Sequence, residues 1–156
     1  MTTSRMAGLQ VGLVGFVWCL MFGQASHLPQ NVKAARVVFI DNEAGDASVL
    51  DSAHLALASS DLRWNDDRNR ADLVFHFERN SAAADRTVKG NEINVTVRNT
   101  YTLEVMDKDG TSVWKNAAVL DPSNLRTEHT ERSWIEYLHK HPAARLVTMF
   151  LKSRAE

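Results

Sequence analysis

The stretch Ile93-Asn94-Val95-Thr96-Val97-Arg98-Asn99-Thr100-Tyr101-Thr102-Leu103-Glu104-Val105-Met106 decides the fold. Its odd positions hold Ile93, Val95, Val97, Tyr101, Leu103 and Val105, while its even positions are polar as far as Glu104. A period of two puts alternate side chains on opposite faces, so the reading is a long strand with one buried row and one wetted row. Asn99 is the one polar residue in the buried row, and a bend or bulge is expected there. Asp107-Lys108-Asp109-Gly110 follows, with the glycine supplying the positive φ that a three-residue hairpin loop with a bulge requires. The chain returns through Val113, Trp114 and Val119. Counting pairs back from the closure sets Val105 opposite Val113 and Glu104 opposite Trp114. Trp114 and Met106 then fall on the polar face, as candidate anchors for a partner unless the 80–90 connection or the Trp134 segment covers them.

Upstream, Val37-Val38-Phe39-Ile40 is a continuous apolar run, as in a strand inside a sheet. Gly45 marks a turn, Asp46 is placed to cap a helix over Ala47 to Ser59, and Val49, Leu50, Ala53 and Leu57 form that helix's apolar stripe. A short strand at Leu62–Asn65 completes a strand-helix-strand unit, which implies a right-handed crossover and parallel strands. Leu73, Phe75 and Phe77 alternate with Val74, His76 and Glu78 in a further strand. Asn80 to Gly90, small and polar, reads as an exposed connection. After the loop 121–128, Trp134, Ile135 and Leu138 and then Leu146, Val147, Phe150 and Leu151 recur at helical spacing. Pro142 divides this region into a short helix and a final one. The expected fold is α+β, a mixed and mostly antiparallel sheet of about five strands with two main helices packed on one face.

Residues 1–25 read as a secretory signal peptide. Arg5 precedes an apolar run from Met6 to Phe22, and Gly23-Gln24-Ala25 puts small residues at the −3 and −1 positions of a cleavage before Ser26. If that run is retained, the chain is a membrane-anchored structural module and this segment is its one membrane contact. Residues 26–34 read as a flexible lead-in, and residues 35–154 as a single domain. The one cysteine, Cys19, lies in the leader, so the mature stretch has no thiol for a disulfide, a nucleophile or a cysteine-ligated metal. Trp18 before it is too large for a lipoprotein signal. Without Arg5 the mature stretch carries 17 basic and 19 acidic residues, interspersed, which argues against a nucleic-acid surface.

Ala71-Asp72-Leu73-Val74-Phe75 and Leu103-Glu104-Val105-Met106-Asp107-Lys108-Asp109-Gly110-Thr111-Ser112-Val113-Trp114, followed by a C-terminal helix, resemble small exported bacterial envelope proteins of unknown function. The layout is similar to the amino-terminal domain of the Tol-system propeller protein and to curli-transport-type domains. The resemblance spans roughly Ala35 to Lys152 and implies a mixed sheet backed by two helices, an envelope location and no catalytic residue to carry over. The chain departs from that family in lacking the lipidated cysteine.

Beside the apolar pair Trp114 and Met106, the acidic residues and the histidines are candidate sites. Asp41, Glu43 and Asp46 emerge at the sheet edge where open α/β sheets place ligands, beside Asp66 and Asp67. Their spacing matches no calcium loop and Asp46 has a capping role, so solvated turns are expected there and no metal. Glu136 and His139 share a helix face near His129, Glu131 and His141, without the spacing of a zinc motif. His76 has no partner evident in the sequence, and no serine elbow accompanies it. The expected function is therefore an exported, non-enzymatic accessory or binding protein of the bacterial cell envelope, periplasmic or extracellular, with an envelope protein as partner and no cofactor. The alternative is a metal-assisted hydrolase using the acidic edge or the histidines.

Overall fold

The computed structural model describes residues 27–90, 92–120 and 131–156. The leader at 1–25 and the expected loop 121–128, with His129, lie outside them. The elements in order are α1 (Gln30–Ala34), β1 (Val37–Asn42), α2 (Ala47–Leu57), β2 (Arg63–Trp64), a short 3-10 turn (Arg68–Arg70), β3 (Leu73–Lys89), β4 (Glu92–Asp107), β5 (Ser112–Leu120), α3 (Glu131–Lys140) and α4 (Pro142–Ala155). They form one five-stranded sheet in the order β2-β1-β3-β4-β5, the α+β architecture expected. Strand β1 lies parallel to β2, as the crossover through α2 demands, and parallel to β3 on its other side. The two long pairings, β3 with β4 and β4 with β5, are antiparallel. Among the described residues no helix is long and apolar enough to cross a membrane.

The core lies between one sheet face and the helices. Val38 and Ile40, Leu73, Phe75 and Phe77, and Tyr101, Leu103 and Val105 meet Val49, Ala53 and Leu57 of α2 and Leu146, Val147 and Phe150 of α4. Phe75 and Phe150 pack edge to face with ring centroids 5.2 Å apart. Each large buried ring contributes roughly 1.5–3 kcal/mol of transfer free energy, and Phe75 and Phe77 of β3 and Tyr101 of β4 are the rings the sheet buries.

Four expectations are corrected. Residues 26–34 are not simply a lead-in, because α1 forms there and Leu28 and Val32 enter the core. Alternation was absent from so short a segment, and a single buried turn needs only two apolar contacts. The 80–90 stretch is not a connection but the outer half of β3, paired from Asn80↔Thr100 to Lys89↔Glu92. Small polar residues there take up the strand imposed by β4. The bulge lies between Ala83 and Asp85, not at Asn99, which keeps its register and accepts a 2.7 Å hydrogen bond from Ser81 Oγ. Finally, the buried row stops early. Tyr101, Leu103 and Val105 are inside, but Ile93, Val95 and Val97 are 56%, 51% and 48% exposed, because the ribbon runs on past the helices.

The Asp107–Thr111 closure forms as expected. Gly110 has φ +82° and donates to the Asp107 carbonyl at 3.0 Å, while Asp107 Oδ1 accepts from the Asp109 and Thr111 amides. Its bulge, however, falls at Val113. Val105 faces Trp114 and Met106 faces Ser112, so Trp114 turns to the core side. There it meets the Phe150 ring at 5.6 Å. Trp114 is therefore half-buried on the core side rather than on the polar face where the simple count set it, whereas Met106 stays on the outer face, half-buried.

Candidate functional site

The parallel pairing of β1 with β3 sets Asp41 beside His76 on the sheet face that carries no helix. The strand period puts Glu78 two residues on from His76 on that same face. Asp41 Oδ2 lies 3.1 Å from His76 Nδ1, and Glu78 Oε1 lies 3.3 Å from Nε2. Burial alone would lower the imidazole's pKa. The Asp41 and Glu78 hydrogen bonds outweigh it, and the net shift is upward from 6.5. Glu43 joins the group: its carboxylate, that of Asp41 and a His76 ring nitrogen lie within 4.8 Å of one another. Across the next pairing Glu104 stands opposite His76, and Lys115 holds Glu104 at 2.7 Å. That hydrogen bond and charge lower the Glu104 pKa.

Of the acidic residues singled out in the sequence, Asp41 and Glu43 thus come together, and they do so with His76. Asp46 is elsewhere. Its Oδ1 caps α2 by accepting from the Ser48 amide at 2.9 Å, and its Oδ2 accepts the Tyr101 hydroxyl proton at 2.6 Å. Asp67 caps the 3-10 turn through the Asn69 amide and pairs with Arg70. The sequence could have exposed the Asp41–His76 neighbourhood, since a parallel register that pairs Ile40 with Phe75 must pair Asp41 with His76. What it lacked was that register.

Asp46 belongs to a second polar group on the core side. His141, fully buried, caps α4 by accepting from the Ala143 amide at Nδ1, so the ring proton sits on Nε2, 3.5 Å from Asp46 Oδ2. Tyr101 and Tyr137 pack against the same imidazole, with centroids 5.0 and 5.7 Å away. Burial lowers the His141 pKa and keeps the ring neutral. Burial, with the Asp46 hydrogen bond and charge behind it, pushes the Tyr101 phenol up to about 12. For Asp46 burial works upward, but hydrogen bonds from Tyr101 and Ser48 prevail and its pKa falls. This arrangement fastens two helix starts to β4. It has no nucleophile that ionises near neutrality, and its histidine is closed to solvent.

Of the other histidine candidates, His129 lies outside the described residues, and His139 and His141 do not share a site. His139 is exposed at the end of α3, and Glu136 bonds Lys140 one turn on. Trp134 is exposed and stacks on Tyr137 at 5.3 Å. A residue that sequence reasoning passed over, Arg154, is a structural clasp. Its nearly buried guanidinium donates to the Val32, Lys33 and Ala35 carbonyls and to Asp61, tying α4 to α1. That contact with Arg154 holds the Asp61 carboxyl below its usual range.

The third feature is the outer ribbon. Strand β1 pairs with β3 only as far as Phe77, and β5 pairs with β4 only as far back as Asn99. Beyond those points β3 and β4 have only each other among the described residues. Val88, Ile93, Val95 and Val97 are all exposed along it.

No family model matches the chain, and no curated protein matches it. Among solved structures it is similar to a minor lipoprotein from Acinetobacter baumannii, at 18% identity and TM-score 0.40, over 77% of this chain and 93% of that one. It is also similar to uncharacterized lipoprotein B from Nitrosomonas europaea, at 14% identity and TM-score 0.38, over 94% and 89% of the two chains. A third is the PelC dodecamer from Paraburkholderia phytofirmans, at 17% identity and TM-score 0.39, over 76% and 86%.

Proposed function

We propose that this chain is an exported, non-enzymatic binding protein of the bacterial cell envelope, and that it binds through the outer half of the β3–β4 ribbon. One observation carries the reading: the apolar row that builds the core continues past it as Ile93, Val95 and Val97, about half exposed, on strands whose outer edges have no partner among the described residues. Open edges offer unpaired N–H and C=O groups, and natural proteins normally blunt or cover them. An apolar row on such an edge fits an extended partner segment that adds a strand and seats apolar side chains at alternate positions. The occupant is thus an extended segment of an envelope protein. The leader read in the sequence at residues 1–25 supports the compartment, and the resemblance of the sequence to the Tol-system and curli-transport-type domains belongs to the same reading.

A photo-crosslinking residue at position 95, with a control at the exposed Lys108, tests this in the intact cell. The expected result is exported protein whose mass begins at Ser26, with a discrete heteromeric adduct from position 95, none from 108, and loss of the adduct on Val97→Asp. Equal adducts from both positions, no adduct, or a retained leader would overturn the proposal. An adduct of twice the chain's mass would assign the ribbon to a second copy and overturn the envelope partner.

A further inference from the structure

We infer that Asp41, Glu43 and His76 form a binding site for a divalent transition cation of zinc's class, with Glu78 orienting the histidine from behind. The inference is independent of the ribbon. Ligands 2.0–2.1 Å from a tetrahedral zinc lie about 3.3 Å from each other, and Asp41 Oδ2 and His76 Nδ1 are 3.1 Å apart. The pair already spans one edge of such a polyhedron. The Glu43 carboxylate reaches within 4.8 Å of both, so a small rotation of an exposed side chain closes the third corner. Three protein ligands on an open sheet face leave a fourth position to water.

The far side of the ring supports the assignment. A metal-ligating histidine almost always gives its other N–H to a carboxylate or carbonyl, which fixes the tautomer and the ring plane. Here Glu78 Oε1 lies 3.3 Å from Nε2, leaving Nδ1 as the ligand atom. Charge points the same way. Among the described residues no lysine or arginine pairs with Asp41 or Glu43, whereas neighbouring Glu104 has Lys115. Three carboxylates around one imidazole leave an excess of negative charge that a dication offsets. Donor type sets the class: calcium and magnesium take oxygen ligands, and one imidazole with two carboxylates suits zinc, cobalt or nickel.

Isothermal titration of the purified protein with zinc chloride, calcium chloride and magnesium chloride at neutral pH tests the site. One zinc per chain is expected, with no calcium or magnesium heat. Glu43→Gln, an exposed position whose substitution leaves the core untouched, should weaken zinc at least tenfold, and Glu78→Gln should weaken it by about tenfold through the ring orientation. Zinc should also shift the His76 ring resonances in an NMR spectrum. Absence of zinc binding, or binding unchanged in both variants and so owed to the other histidines, overturns the inference.

Discussion

At His141 a single imidazole caps the start of α4, receives two aromatic edges and turns its N–H toward the carboxylate that caps α2. Because burial lowers its pKa, the unfolded chain takes up a proton below about 6.5 that the folded chain refuses. Stability therefore falls as pH drops from 6.5 through the folded pKa. Asp46, whose pKa is also lowered, adds a second loss below 3.8. His76 acts in the opposite sense. Its raised pKa gives stability that is present below 6.5 and lost as pH rises through the folded value. Replacing His141 with Asn, which caps helices without titrating, should flatten the decline of the urea midpoint as pH falls below 6.5, while the His76 trend above 6.5 stays. An unchanged slope would mean that His141 is not the acid-sensitive group. Tyr101→Phe keeps the ring but takes a donor from Asp46, at a cost of about 1–2 kcal/mol by chemical denaturation.

At the scale of elements, the β4–β5 hairpin shows what a one-residue bulge does. Its loop was legible in Asp107 to Gly110, yet the side of the sheet taken by Trp114 came out opposite to the simple count. Adjacent Val113 and Trp114 were the available signal, since a bulge is the way both can approach the apolar side. Packed half-buried on Phe150, Trp114 should cost about 2 kcal/mol on replacement by alanine, less than the 3–5 kcal/mol of a fully enclosed ring. Thermal or urea unfolding measures this, and a loss below about 0.5 kcal/mol would contradict the packing. The C-terminal helices were more readable, because Pro142 fixes where α4 begins and the spacing of Leu146, Val147 and Phe150 fixes the face it buries.

For the molecule as a whole, the division falls across the ribbon. Its inner half is core, and among the described residues its outer half adds nothing to the buried cluster, which on β4 ends at Tyr101. Replacing residues 82–98 with a two-residue Asn-Gly turn, which joins Ser81 to Asn99 across an existing pair, should leave the unfolding free energy within about 1 kcal/mol. A collapse in stability on that excision would show the arm to be structural and would remove the ground for treating it as a binding element. The local periods, the caps and turn glycine, the crossover and hence the sheet with its helices are legible in the chain before it folds, because each is written in residues a few positions apart. Only folding settles where the apolar row leaves the core, which side Trp114 takes, and that His76 meets Asp41 and Glu43 while Asp46 meets Tyr101 and His141. Those outcomes depend on strand register and helix length, which are fixed by packing between segments far apart in the chain, and no local pattern records them.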